Sequence, residues 1–91
     1  MYRKRNYNLY QLGKEYIIHN TKKEFKDGHT HINEFKTAVF LIDISIHKSI
    51  PKHLCSYFLE SLIRISDDPK YKQKLNNLLE QRKQENKYSK R

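Results

Sequence analysis

Apolar positions follow a helical rhythm through most of the chain and lose it at both ends. Phe35, Val39, Ile42 and Ile46, with Ala38 beside them, recur at three- and four-residue spacing and predict a helix from Phe35 to His47. Asn33 or Thr30 offers a cap, and Glu34 suits the positive end of the helix dipole. The alternation Ile42-Asp43-Ile44-Ser45-Ile46 is a competing strand pattern; length favours the helix. Pro51 disfavours an α conformation at Ile50 and then fits the first turn of a second helix. Leu54, Phe58, Leu62 and Ile65 form its main stripe, widened by Cys55, Leu59 and Ile63, which marks it as the central helix. Asp68-Pro69 pairs a good cap with proline at the first helical position, and Tyr71, Leu75, Leu78 and Leu79 follow on one face.

The N-terminal third has the weaker pattern. Tyr16-Ile17-Ile18 reads as a short strand, Thr21 to Phe25 as a second pairing segment, and Asp27-Gly28 as a turn in which glycine supplies a positive φ. Residues 1–13 mix tyrosine, arginine and asparagine without clean periodicity and read as an arm ended by Gly13. The expected fold is mainly alpha: a small N-terminal beta hairpin or strand followed by three helices. Its parts are a basic aromatic arm (1–13), a compact helical domain with a short beta element (14–79), and a basic helical extension or mobile tail (80–91).

Charge changes this picture. Residues 1–14 carry four basic side chains and no acidic one, and residues 70–91 carry eight basic and two acidic. The stretch between is nearly balanced, so the net +9 belongs to the two ends. Such a field attracts nucleic acid, anionic lipid or an acidic protein. Lysine and arginine neutralise phosphates while aromatic rings stack on bases. The expected nucleic-acid contacts are Arg3, Lys4, Arg5, Tyr7, Lys70, Lys72, Lys74, Arg82, Lys83, Lys87, Lys90 and Arg91. Lys22, Lys23 and Lys26 offer a further phosphate contact. The bland reading of all these lysines is a solvated helix surface. A helix-turn-helix over Phe35 to Ile65 is disfavoured, because its second helix is too apolar to face a groove.

Other chemistry is sparser. Gly28-His29-Thr30-His31 places two imidazoles two residues apart, suited to a transition metal or to proton transfer. Asp43 and His47 lie one helical turn apart, so the four side chains would form a mixed metal or hydrolytic site if the helix folded over the loop. The plainer account gives the histidines a structural role and pairs Asp43 with His47 or Lys36. Cys55 is the single cysteine; an internal disulfide is excluded and a buried thiol expected. No glycine-rich phosphate loop or dinucleotide fingerprint is present. The longest apolar run, Ala38 to Ile42, is too short to span a membrane.

The sequence therefore points to a small cytoplasmic accessory or regulatory protein that binds DNA or RNA, needs no cofactor and could gain stability as a homodimer. One alternative is a protein-binding module or inhibitor of an acidic partner. The other is a metal-dependent nuclease or hydrolase using His29 and His31.

Overall fold

The computed structural model describes residues 2–89, with side chains described as far as Gln84. It is mainly helical, with three helices preceded by a four-stranded sheet. The strands are β1 (Tyr2–Lys4), β2 (Tyr7–Leu12), β3 (Glu15–Asn20) and β4 (His29–Ile32). The helices are α1 (Phe35–His47), α2 (Ser56–Ile65) and α3 (Pro69–Ser89). The sheet is an antiparallel meander in the order β1-β2-β3-β4.

The N-terminal segment expected to lie outside the compact body is half of this sheet. Tyr7 and Leu9 alternate inward with period two and join the core, whereas Arg3, Asn8 and Tyr10 fall on the opposite face. Two features conceal this pattern in the sequence. The β1–β2 turn uses Arg5 at φ 56°, a left-handed conformation normally given to glycine or asparagine. Leu12, although apolar, is 62% exposed.

Thr21 to Phe25 is not a strand; it belongs to the connection that leads to β4. Gly13, at φ 63°, supplies the left-handed turn between β2 and β3. Gly28 is needed for space instead, since a Cβ there would stand 2.6 Å from Lys23 Cβ.

The main core lies between the sheet and the helices. Leu9, Ile18 and Ile32 meet Leu41 and Ile42 of α1, Leu59, Leu62 and Ile65 of α2, and Leu75 of α3, all essentially fully buried. In α1 the buried face is centred on Ala38, Leu41, Ile42 and Ile44, one step round from the expected stripe, and Phe35 is partly exposed. Phe35 instead meets the edges of Tyr2 and Tyr16.

Pro51 precedes α2 without entering it, and Cys55 is the N-cap in an extended conformation. The thiol is therefore exposed, contrary to expectation. Asp68 caps α3 as expected, its Oδ1 accepting from the backbone N–H of Lys70 at 2.9 Å. Among the described residues no helix is long and apolar enough to cross a membrane.

The outer face of the sheet has a small cover of its own. Phe25, in the β3–β4 connection, stacks on His29 with ring centroids 4.1 Å apart and planes 6° from parallel. The same ring meets the edge of His19 and lies near Tyr10. Ile17 projects to this side and is 2% exposed.

Candidate functional site

The C-terminus of α2 leaves carbonyls that the helix itself cannot satisfy. No glycine stands there; side chains from the turn after β3 supply the donors. Asn20, fully buried, donates through Nδ2 to the Ile65 carbonyl at 2.8 Å. Lys23 Nζ donates to the carbonyls of Arg64 and Ser66 at 3.1 and 3.2 Å. A cation at the negative end of a helix is favourable, so Lys23 has a local reason to sit there. The Asn20 Oδ1 accepts from Asn6 Nδ2 and from the Lys22 N–H. The β1–β2 turn, the turn after β3 and the α2–α3 junction are thus tied into one corner.

That corner gathers cations from separate segments. Arg5, Lys22, Lys48 and Asp67 line one cleft of about 140 Å³. Lys23, Asp67 and Lys72 line a second of about 490 Å³, with Ser66, Gln73 and Asn76 as polar neighbours. Asp67 borders both. Lys22 lies 3.8 Å from Asp67 and Lys48 lies 3.9 Å from Asp68, long surface pairs of little strength. Five cations thus stand against two carboxylates. Burial lowers the pKa of Lys23, and the neighbouring positive charge of Lys72 lowers it further.

The expected contact residues divide sharply. Arg5 and Lys72 both reach this corner, one from each basic end, in two clefts that share Asp67. Lys70 and Lys74 are exposed on α3. Arg3 lies on the outer face of the sheet, opposite Asn8. Lys4 Nζ bonds Asp43 Oδ1 at 2.8 Å, which raises the lysine pKa and gives Asp43 a partner other than His47 or Lys36.

Tyr7 is a core residue at 4% exposure and offers no ring for stacking. Burial pushes its phenol pKa up, with the negative charge of Asp67 adding to the effect. Arg82 is also structural: its guanidinium donates to the carbonyls of Leu54 and Lys52 and anchors the loop before α2. Lys83 lies 4.0 Å from Glu80 on the same helix. The side chains of Lys87, Lys90 and Arg91 lie outside the described residues.

A second cleft, of about 270 Å³, opens where α2 passes the free edge of β4. Tyr57, Glu60, Ser61 and Arg64, at helical spacing on α2, face His29, Thr30 and His31 on the strand. Thr30 donates to Ser61 Oγ at 2.9 Å inside the protein, and the Tyr57 hydroxyl donates to the His31 carbonyl. The two imidazole centroids are 5.1 Å apart. Glu15 Oε1 lies 2.9 Å from His31 Nδ1, and the Phe25 carbonyl lies 2.5 Å from His29 Nδ1.

His29 and His31 therefore converge, but Asp43 does not join them: it pairs with Lys4 on the other side of the sheet. Among the described residues no three histidine, cysteine, aspartate or glutamate side chains are grouped to hold a metal ion. Tyr57 and Arg64 were not expected at a site. Only the three-dimensional crossing of α2 and β4 pairs them with the histidines.

No family model matches the sequence, and no curated protein or solved structure matches it.

Proposed function

We propose that the chain binds nucleic acid through the phosphate backbone, using the basic corner formed by Arg5, Lys22, Lys23, Lys48 and Lys72. The observation that carries this reading is the convergence of four chain segments on one cationic surface around Asp67. Close packing of like charges is costly in the free protein, and the crowding of Lys23 by Lys72 is relieved when a phosphate arrives. The recognition is electrostatic and positions a strand without reading its bases. We assign the protein a cytoplasmic regulatory or accessory role on the same reading.

Fluorescence anisotropy with labelled single- and double-stranded RNA and DNA, from about 50 to about 200 mM salt, tests it directly. Log affinity falls linearly with log salt. Lys72→Glu weakens binding and reduces the salt slope by about 1, because one phosphate contact is lost. Lys36→Glu, on exposed α1 surface, makes the same change of net charge elsewhere and has a smaller effect. Equal effects of the two variants would reject the site. Absence of binding to all four ligands at low salt would reject the function and turn attention to an acidic protein partner.

A further inference from the structure

We propose that the cleft between β4 and α2 cleaves RNA without a metal ion, with His31 as general base, His29 as general acid and Arg64 as the phosphate clamp. This rests on the nucleic-acid reading and adds a reaction to it. The geometry begins with the strand: residues 29 and 31 point to one face, and their rings stand 5.1 Å apart, close enough to serve one phosphodiester. Each ring is held at Nδ1 by an acceptor, Glu15 for His31 and the Phe25 carbonyl for His29. Those acceptors place the proton on Nδ1 and leave Nε2 as the nitrogen for chemistry. Parallel stacking on Phe25 fixes the plane of His29.

The roles follow from these partners. A carboxylate beside His31 compensates the charge that the ring acquires on taking a proton, as a base requires. His29, held by a neutral carbonyl, is assigned the acid. Arg64 brings a fixed cation to the same cleft, and its own carbonyl is bonded by Lys23 of the basic corner. Arg64 thus borders both the basic corner, through its carbonyl, and the cleft. Glu60 lines the cleft and Glu15 stands behind His31, so Arg64 and one protonated imidazole together balance the two carboxylates. The ring of Tyr57, half-exposed and pinned through its hydroxyl, offers a base a stacking surface at the rim. The volume lies just below the ~300–1,000 Å³ usual for drug-sized ligands and suits a phosphate with its sugar.

In the reaction His31 Nε2 takes the proton from a ribose 2′-hydroxyl. The 2′-oxygen attacks phosphorus, the bond from phosphorus to the 5′-oxygen breaks, and His29 delivers its proton to that oxygen. The products are a 2′,3′-cyclic phosphate and a free 5′-hydroxyl. Arg64 compensates the charge that builds on the non-bridging oxygens. Nothing is oxidised and no co-reactant is consumed.

The test incubates the nucleic-acid-free full chain with a labelled RNA in EDTA and identifies the product ends by mass spectrometry. The expected result is cyclic-phosphate ends from RNA and none from DNA or 2′-O-methyl RNA. His29→Ala and His31→Ala each lose at least about 100-fold in cleavage rate, with unchanged circular dichroism and unchanged affinity for 2′-O-methyl RNA. Glu15→Gln keeps a hydrogen-bond partner for His31 but removes the charge, and lowers the rate by about tenfold or more. His53→Ala, in the loop before α2, cleaves as the parent does. RNA that is bound yet remains intact overturns this inference and leaves the binding function standing. Cleavage that survives the double His29→Ala, His31→Ala change also overturns it. Failure to bind any single- or double-stranded RNA or DNA at low salt sinks both.

Discussion

Replacing Asn20 by alanine tests the corner that unites the fold with the proposed interface. The side chain is fully buried and makes three hydrogen bonds: to the Ile65 carbonyl, the Lys22 N–H and the Asn6 amide, at 2.8, 2.9 and 2.7 Å. At about 1 kcal/mol net for each, Asn20→Ala costs about 3 kcal/mol. For a domain of this size that corresponds to a fall in Tm of roughly 12–24 °C. Asn6→Ala removes one of the three bonds and costs about 1 kcal/mol.

Asn20→Asp is the sharper comparison. It keeps the acceptor for Lys22 but turns a carboxylate oxygen toward the Ile65 carbonyl, and so exceeds the cost of Asn6→Ala. Urea unfolding followed by circular dichroism gives all three values if the m-value is unchanged. A cost below about 1 kcal/mol for Asn20→Ala would refute the claim that this residue ties the corner together. So would an aspartate variant no worse than Asn6→Ala.

Two further outcomes follow from buried polar groups. Tyr71, 3% exposed and bonded to the Ser49 carbonyl, has its phenol pKa pushed up by burial and by Tyr7. Tyr7 is shifted the same way. The folded state keeps protons that the unfolded chain releases above its ordinary phenol pKa of 10.0, so this stability is complete below pH 10 and declines as pH rises further. The decline is up to about 1.4 kcal/mol per pH unit for each phenol; thermal melts from pH 9 to 11 should be shallower for Tyr71→Phe, and parallel curves would contradict the assignment. Arg82→Gln weakens the two carbonyl contacts and lowers stability by about 1–2 kcal/mol, while changing nucleic-acid affinity less than Lys72→Glu does. A loss of affinity without a loss of stability would return Arg82 to the interface.

The three helices were legible because each carries an apolar face long enough to set its period: Leu59, Leu62 and Ile65 are buried as their spacing requires, as are Tyr71, Leu75 and Leu79. The cap at Asp68-Pro69 was equally plain. The first two strands were not, because the left-handed turn is occupied by Arg5 and because Leu12 and Tyr10 put apolar side chains on the outer face. Phe25 gives that face a reason to be apolar, but it reaches it only through a connection with no strand pattern. The site was visible in parts. His29 and His31 are neighbours in the chain, and Lys72 stood out by charge, whereas Arg64 and Tyr57 acquire meaning only from the crossing of α2 over β4. Charge alone could not separate Arg82, which holds carbonyls, from a lysine free to meet phosphate.

The meander has a consequence for how the molecule comes into being. Every strand pairs with the one made just before it, so no sheet contact waits for a distant part of the chain. Closing such short loops takes little entropy and is fast, with hairpins forming in about 1–10 μs. During synthesis the sheet, together with Phe25 over its outer face, is complete in sequence before the first helix has been made. The sheet's inner face, with Tyr7, Leu9, Ile18 and Ile32, gains its cover only once the helices have been made. Slow steps in refolding are therefore expected in the docking of α2 and α3, and the burial of Asn20 against Ile65 is the contact by which to time them.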